Sequence, residues 1–439
     1  MTTLLLLAAL GAPSAAPPFA LDVELARPVL STETAPGQAA NVLRVSLEGL
    51  ESALAGPTNG RPPVNLALVL DRSGSMRGQK LLRARQAARM LVERLGPEDV
   101  LSLVAYDGSV EVLVPATRVD DRRVFLDALE GLRAGGSTAL FSGVSRGLAE
   151  VRRFVDPARV DRVVLLSDGQ ANVGPSAPSE LGRLGAAAAK EGISISTIGL
   201  GLGYNEDLMA RLAGASDGNH GFAESAADLA ALFDAELQEA ISVVAEAIEL
   251  KITPASGWKV TSSLGRPVEI YPSYATAKLV QLPAHAPKYF LMAMAGPTPS
   301  ASGQRQPVAT VEVTARRTSD GQPVRTQTQV FVRYTSDLAE ANRNENQEVA
   351  VSAVEASALQ TNRAAVSLRD RGLIDQAKDL LQQNATYLEE NADRYRSSKL
   401  RAYSQENAAD AQKLNRKDWL RTRKRMRSKQ HKIETQQSY

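Results

Sequence analysis

The chain has 439 residues, of which 44% are hydrophobic and 23% charged, and its net charge is +2. This length predicts two or three domains, and the small net charge by itself implies neither a nucleic-acid nor a membrane partner. The absence of cysteine excludes disulfides, thiol catalysis and cysteine-ligated zinc or iron–sulfur clusters, and the lack of any His-x-x-x-His spacing excludes a zincin-type protease.

The first stretch, residues 1–16, combines a short apolar run, Leu4–Leu10, with small residues and prolines. This pattern is typical of a secretory signal peptide and predicts an exported protein, in the periplasm, at the cell surface or outside the cell. The run is too short to span a bilayer. The alternative is an apolar arm that packs on the fold, and the alternative localisation is then cytoplasmic.

Residues 17–60 contain two runs in which apolar and polar residues alternate, Phe19–Leu25 and Asn41–Leu47. Alternation predicts half-buried antiparallel strands. Because two strands alone are only marginally stable in water, we expect them to join strands from elsewhere in the chain. The segment Gly56–Pro63 is predicted to be a linker.

Residues 61–240 alternate predicted strands and helices, beginning with the almost entirely apolar run Val64–Leu70 and a helix over Gln79–Leu95. The alternation predicts an α/β domain with a doubly wound, mainly parallel sheet of strand order 3-2-1-4-5-6 and one antiparallel edge strand. Asp107 and Gly108 separate the second and third strands and predict a hairpin with a type I′ turn.

Side chains that carry oxygen atoms follow two central strands of this sheet. Asp71, Ser73 and Ser75 come directly after the first strand, and Asp168 follows the fourth. Because strands one and four are neighbours in the predicted order, their carboxyl ends meet at the switch point, where such sheets bind ligands. A Gly-Gly-Ser-Thr loop between them in the chain contributes Thr138.

The sequence Asp-x-Ser-x-Ser, a loop threonine and a strand-end aspartate resemble the metal-ion-dependent adhesion site of von Willebrand factor type A (VWA) domains, over about residues 61–240. The resemblance implies a divalent cation held by Asp71, Ser73, Ser75, Thr138 and Asp168. Ser73, Ser75 and either Thr138 or Asp71 would bind directly, and the remaining carboxylate would act through water. Oxygen ligands favour Mg²⁺, with Mn²⁺ or Ca²⁺ as alternatives. Without a metal, Asp71 and Ser75 would only cap the following helix.

Residues 243–335 change to short alternating runs separated by Gly, Pro and Ser, which predicts a β-sandwich. The strands of residues 17–60 would belong to it, so that the VWA domain is an insertion between strands of the sandwich. Residues 336–439 are polar and helical in pattern, and we expect a helical segment that packs on the sandwich.

The last part of the chain is strongly basic. Lys413–Lys432 contains ten basic residues and one acidic residue, Asp418, and its one aromatic residue is Trp419. Such a run could bind anionic lipids or nucleic acid. Because a single aromatic residue offers little base stacking, nucleic acid is not expected and membrane association is not favoured. The preferred interpretation is a solvated, frayed terminus.

No nucleophile–base pair is visible, and the loop after Leu70 lacks the lysine of a phosphate-binding loop, so we expect no enzymatic activity. The resemblance implies an adhesion-type protein-binding module in an exported bacterial protein with an accompanying β-sandwich, in which a partner's Glu or Asp completes the coordination of the metal. The alternative is an intracellular VWA subunit that assists a ring-shaped ATPase of the chelatase type. A cleaved signal peptide would exclude that alternative.

Overall fold

The computed structural model describes residues 16–33, 40–54, 61–297, 303–415 and 417–437. The predicted signal peptide lies outside the described residues except for its last position, and the predicted linker lies partly outside them. Within the described ranges, no helix has both the length and the apolar character needed to cross a membrane.

The described chain forms sixteen strands. In chain order they are β1 (Phe19–Leu25), β2 (Val29–Ser31), β3 (Ala40–Gly49), β4 (Val64–Asp71), β5 (Val100–Tyr106), β6 (Val110–Arg118), β7 (Val160–Ser167), β8 (Ser194–Leu200), β9 (His220–Ala223), β10 (Val243–Pro254), β11 (Lys259–Ser263), β12 (Glu269–Ile270), β13 (Ala275–Pro283), β14 (Lys288–Ala295), β15 (Arg305–Arg317) and β16 (Pro323–Thr335).

Eleven α-helices accompany the strands in the same ranges. They are α1 (Gln79–Arg94), α2 (Arg122–Gly131), α3 (Leu140–Val151), α4 (Pro178–Lys190), α5 (Glu206–Ala215), α6 (Ala226–Ile241), α7 (Leu338–Arg343), α8 (Gln347–Asp370), α9 (Ile374–Tyr395), α10 (Ser398–Ala411) and α11 (Trp419–Thr435).

The α/β domain is built on a six-stranded sheet with the order β6-β5-β4-β7-β8-β9. β4 pairs in parallel with β5 and β7, and β6 is antiparallel at the edge. Every residue of β4 is buried, because α1, α2 and α6 pack on one face of the sheet and α3, α4 and α5 on the other. The predicted doubly wound fold is confirmed, and the carboxyl ends of β4 and β7 lie side by side.

The turn between β5 and β6 differs from the prediction. A type I′ turn needs a positive φ at both central residues, but neither Asp107 nor Gly108 has one. Instead, Asp107 Oδ1 accepts hydrogen bonds from Ser109 N at 2.8 Å and from Ser109 Oγ at 2.9 Å. The predicted turn type is wrong, because this side-chain bond stabilises a turn without left-handed residues.

Two further sheets share one hydrophobic core, and together we call them the two-sheet unit. Their strand orders are β1-β3-β14-β11 and β12-β13-β10-β15-β16-β2. β3 pairs with β14, and β2 pairs in parallel with β16, so segments from both sides of the α/β domain build the same sheets. Phe19, Leu43, Leu250 and Val311 lie in the common core. The α/β domain is therefore inserted between β3 and β10.

The basic run near the end of the chain is docked on the protein through helix α11. Trp419, Lys424 and His431 are buried, and the helix packs on α5, α8 and β9. The interpretation of this run as a solvated, frayed terminus is wrong, because its helix is docked and several of its basic side chains pair with acidic residues of other helices. Arg423, for example, pairs with Glu206 of α5. Arg416 of the run lies outside the described residues.

Two histidines lie where α11 meets the α/β domain. The rings of His220 and His431 are 5.9 Å apart, edge to face. Thr197 Oγ1 is 2.9 Å from His220 Nδ1, and Gly218 O is 3.0 Å from His431 Nε2. Burial lowers the pKa of His220 to about 3 and that of His431 to about 4. Both rings are therefore neutral at pH 7 and add no charge to the docked basic helix.

Candidate metal centre

The first carboxylate of the predicted site, Asp71, ends β4 and is fully buried. Asp71 Oδ1 accepts a hydrogen bond from Ser73 N at 2.8 Å, and Oδ2 accepts one from Ser167 Oγ at 2.8 Å. Burial raises the pKa of Asp71, and these hydrogen bonds oppose the increase. The carboxylate is thus held in one orientation and fixes the backbone of Ser73 beside it.

Two serine hydroxyls connect this loop to the second carboxylate. Ser73 Oγ lies 3.0 Å from Ser75 Oγ, and Ser75 Oγ donates to Asp168 Oδ1 at 2.6 Å. Ser73 and Asp168 are buried, whereas Ser75 is exposed. The group of polar atoms is therefore reached by solvent from the side of Ser75.

Thr138 reaches the same place from the loop before α3. Its backbone N donates to Asn172 Oδ1 at 2.7 Å, and its carbonyl oxygen accepts hydrogen bonds from Asn172 N and Val173 N. These bonds tie the threonine loop to the loop that follows β7. The position of Thr138 is thus set by Asn172, which the sequence pattern did not single out.

Gly169 shows that the three hydroxyls converge. A Cβ atom added at this glycine would lie 3.3 Å from Ser75 Oγ, 3.6 Å from Thr138 Oγ1 and 4.0 Å from Ser73 Oγ. Asp168 is the preceding residue, and Asp71 is bonded to the backbone of Ser73. The structure thus brings all five predicted residues together at the carboxyl ends of β4 and β7.

Lys80 is a member of this cluster that the sequence pattern did not reveal. It lies in the first turn of α1, and its ammonium donates to Asp168 Oδ2 at 2.5 Å. Its side chain is 38% exposed, while that of Asp168 is fully buried. No local pattern marks Lys80, because its contact forms only when β4 and β7 become neighbours in the sheet.

The donor set suits a hard divalent cation. Among the described residues, no three His, Asp or Glu side chains lie close enough together to hold a metal by themselves, so hydroxyls would have to supply most of the ligands. Two carboxylates balance the charge of such an ion, and three hydroxyls add neutral oxygen donors, which Mg²⁺, Mn²⁺ and Ca²⁺ accept. Because residue 169 is a glycine, no side chain obstructs the point where the hydroxyls converge.

The sequence matches a known family and known proteins over the α/β domain. The family model of the von Willebrand factor type A domain matches residues 65–236. The chain is 32% identical over 174 residues to the uncharacterized protein sll0103 of Synechocystis sp., and this match covers 40% of the chain and 41% of that protein. The chain is also 32% identical over 232 residues to a UPF0353 protein of Mycobacterium marinum. This match covers 46% of the chain and 69% of that protein. The chain thus spans less than half the length of sll0103.

The fold is shared over a longer range than the sequence. A solved structure, von Willebrand factor type A from Catenulispora acidiphila, has a TM-score of 0.70 and 17% identity, with 92% of this chain and 91% of that chain covered. At this identity the likeness shows the fold alone, and its coverage extends beyond the α/β domain. The family match and the relative from Mycobacterium marinum identify the domain, and the solved structure agrees with them in fold. The chain therefore belongs to the von Willebrand factor type A domain family.

Proposed function

We propose that the VWA domain binds one divalent cation, Mg²⁺ or alternatively Mn²⁺ or Ca²⁺, and through it a protein partner. The observation that carries the proposal is the convergence of three hydroxyls beside Gly169, next to two buried carboxylates. The hydroxyls would hold the ion, and Asp71 and Asp168 would balance its charge. When bound, the ion would supply an electrophilic position for an oxygen of the partner.

A Glu or Asp carboxylate is the partner group that best completes such a centre. Two protein carboxylates match the charge of a divalent ion without excess, and hydroxyl ligands add no charge. The ion therefore keeps its affinity for another anion. Ser75 is the exposed member of the cluster, so the partner would approach from its side. The module would bind a protein and would not transform a substrate.

Export of the protein is part of the proposal and rests on the pattern of residues 1–16. N-terminal sequencing of the protein from its host tests it. Removal of the apolar stretch would support the exported, adhesion-type module, and a retained N-terminus would support the intracellular alternative.

Titration of the purified protein with Mn²⁺, followed by electron paramagnetic resonance and by calorimetry, tests the metal site. We expect about one ion per chain, displacement by Mg²⁺ and Ca²⁺, and reversal by EDTA with an unchanged circular dichroism spectrum. A folded protein without saturable Mn²⁺ binding would contradict the proposal.

Lys80→Met is expected to raise the Mn²⁺ affinity about five- to tenfold, because the Lys80 ammonium repels an incoming cation at Asp168 and solvent screening limits the effect to about 1 kcal/mol. The ammonium lies 2.5 Å from Asp168 Oδ2. Arg77→Met is the matched control, since it removes the same charge from an exposed side chain of the same segment. Calorimetry that shows equal gains in both variants would mean that Lys80 has no specific role.

A further inference from the structure

Two exposed aliphatic side chains lie on loops that touch the metal centre. Val173, which is 37% exposed, is in the loop after β7, and Leu202, which is 41% exposed, is in the loop after β8. Single exposed apolar side chains are common on protein surfaces and need no explanation. These two lie on loops that are packed directly against residues of the centre.

The loop that carries Val173 is bonded to Thr138. Val173 N and Asn172 N both donate to Thr138 O, at 3.3 and 3.1 Å, and Thr138 N donates in turn to Asn172 Oδ1. The backbone of Val173 is therefore fixed relative to one of the three converging hydroxyls.

The loop that carries Leu202 contacts the other side of the centre. A Cβ atom added at Gly203 would lie 2.6 Å from Asp168 O, and one added at Gly201 would lie 3.8 Å from Lys80 Nζ. Gln170 Nε2 also donates to Gly203 O at 2.8 Å. Leu202 thus stands between Gly203, whose backbone lies close against that of Asp168, and Gly201, which is near the end of the Lys80 side chain.

This second loop is also held from inside the protein. The fully buried ring of Tyr204 packs on the backbone of Gly199, where an added Cβ would lie 2.2 Å from the ring. Lys424 Nζ of α11 donates to Tyr204 O at 2.6 Å. A loop that is fixed at both ends presents Leu202 with little ordering cost on binding.

The charges around the centre favour an acidic partner. Arg77 is exposed and Lys80 is partly exposed. Two acidic side chains at this edge of the sheet are already paired with basic ones, Asp107 with Arg72 and Asp168 with Lys80. With a divalent ion bound, this surface would attract anionic groups and offer apolar contacts on two loops.

We propose that Val173, Leu202 and the metal centre form one recognition surface for a peptide segment in which a Glu or Asp is flanked by aliphatic or aromatic residues. The inference rests on the proposed function, because the acidic residue would bind the ion. The flanking side chains would be removed from water against Val173 and Leu202. A metal ion by itself would accept any carboxylate, so these apolar contacts would let the protein distinguish one acidic peptide from another.

A peptide library with a fixed central Glu and randomised flanking positions, selected against the full chain in Mg²⁺, tests the inference. We expect the wild-type protein to enrich apolar residues in at least one flanking position. The enriched peptide should bind the double variant Val173→Ser/Leu202→Ser about tenfold more weakly, with unchanged Mn²⁺ affinity. Leu420→Ser, which removes a 58% exposed leucine from α11, is the matched control and should bind like the wild type.

Three results would overturn the inference. Enrichment of acidic peptides in Mg²⁺ without any apolar flank would do so while leaving the proposed function in place. An equal loss of affinity in Leu420→Ser and in the double variant would do the same. If the protein bound Mn²⁺ but no acidic peptide were retained in a Mg²⁺-dependent way, both the inference and the proposed partner carboxylate would be wrong.

Discussion

Asp71→Asn is expected to lower the Mn²⁺ affinity of the protein about a hundredfold or more, because a unit charge within ~4 Å of the ion is worth several kcal/mol even at an effective dielectric constant of about 20. Asp71 is fully buried, and its Oδ1 accepts the backbone N–H of Ser73. The amide oxygen of asparagine is able to keep that bond. The variant therefore removes the charge while leaving the hydroxyl of Ser73 in place.

Calorimetric titration with Mn²⁺ measures this loss, and thermal unfolding followed by circular dichroism shows whether the fold is intact. Asp107→Asn is the control, since it removes a carboxylate from the same edge of the sheet that is bonded to Arg72 and to Ser109. We expect it to change the affinity by no more than about threefold, as screened charges do. Wild-type affinity in Asp71→Asn would mean that Asp71 only positions the loop after β4.

Glu206→Gln is expected to lower the free energy of unfolding by about 3–5 kcal/mol, because it leaves a buried charge without its partner. Lys424 is 2% exposed, and its ammonium donates to Glu206 Oε2 and to Tyr204 O. Burial lowers the pKa of Lys424 although the pairing with Glu206 opposes this. Without Glu206, the ammonium would face the positive charge of Arg423 in a water-poor interface.

Two further measurements make this prediction specific. The double variant Glu206→Gln/Lys424→Met should recover most of the lost stability in urea unfolding, because it removes the unpaired charge. The loss of unfolding free energy in the single variant should also shrink as the pH rises above 7. A lysine whose pKa is lowered in the folded state releases its proton on folding, so a higher pH stabilises the folded protein.

Glu224→Gln is the matched control for Glu206→Gln. Glu224 pairs at 2.7 Å with Arg421 of α11, the helix that also carries Lys424. Both side chains of this pair are about half exposed, 46% for Glu224 and 56% for Arg421. A pair of this kind contributes at most about 1 kcal/mol. A small effect of Glu206→Gln, similar to that of the control, would show that α11 does not depend on its buried charges for docking.

The main features of the α/β domain and of its centre were predictable from local patterns. The almost entirely apolar strand β4 requires cover on both faces, and the alternation of strands and helices then leads to a doubly wound sheet. Asp71, Ser73 and Ser75 follow one another on a single loop, so their proximity needs no long-range contact. Asp168 was predictable because the strand order makes β4 and β7 neighbours.

Contacts made by individual side chains were not predictable in the same way. The Asp-Gly pair at residues 107 and 108 suggested a type I′ turn, but the bond from Ser109 to the Asp107 carboxylate produces another turn. Lys80 pairs with Asp168, a partner 88 residues away. Neither Lys80 nor Asp168 carries a signal for the other in the sequence, because the two residues become neighbours only when the sheet is assembled.

By itself the sequence determined the fold class, because apolar periodicity acts over short distances, and its resemblance to VWA domains implied the five oxygen-bearing residues that the structure brings together. Only the tertiary structure decided whether the basic run is solvated or docked on the protein. Arg423 and Lys424 both pair with Glu206, more than two hundred residues earlier in the chain, and Arg423 also pairs with Asp207 and Asp370. A cluster of like charges remains in solvent unless the fold brings opposite charges to it. Here the α/β domain supplies Glu206 and Asp207 at the start of α5, and α8 supplies Asp370.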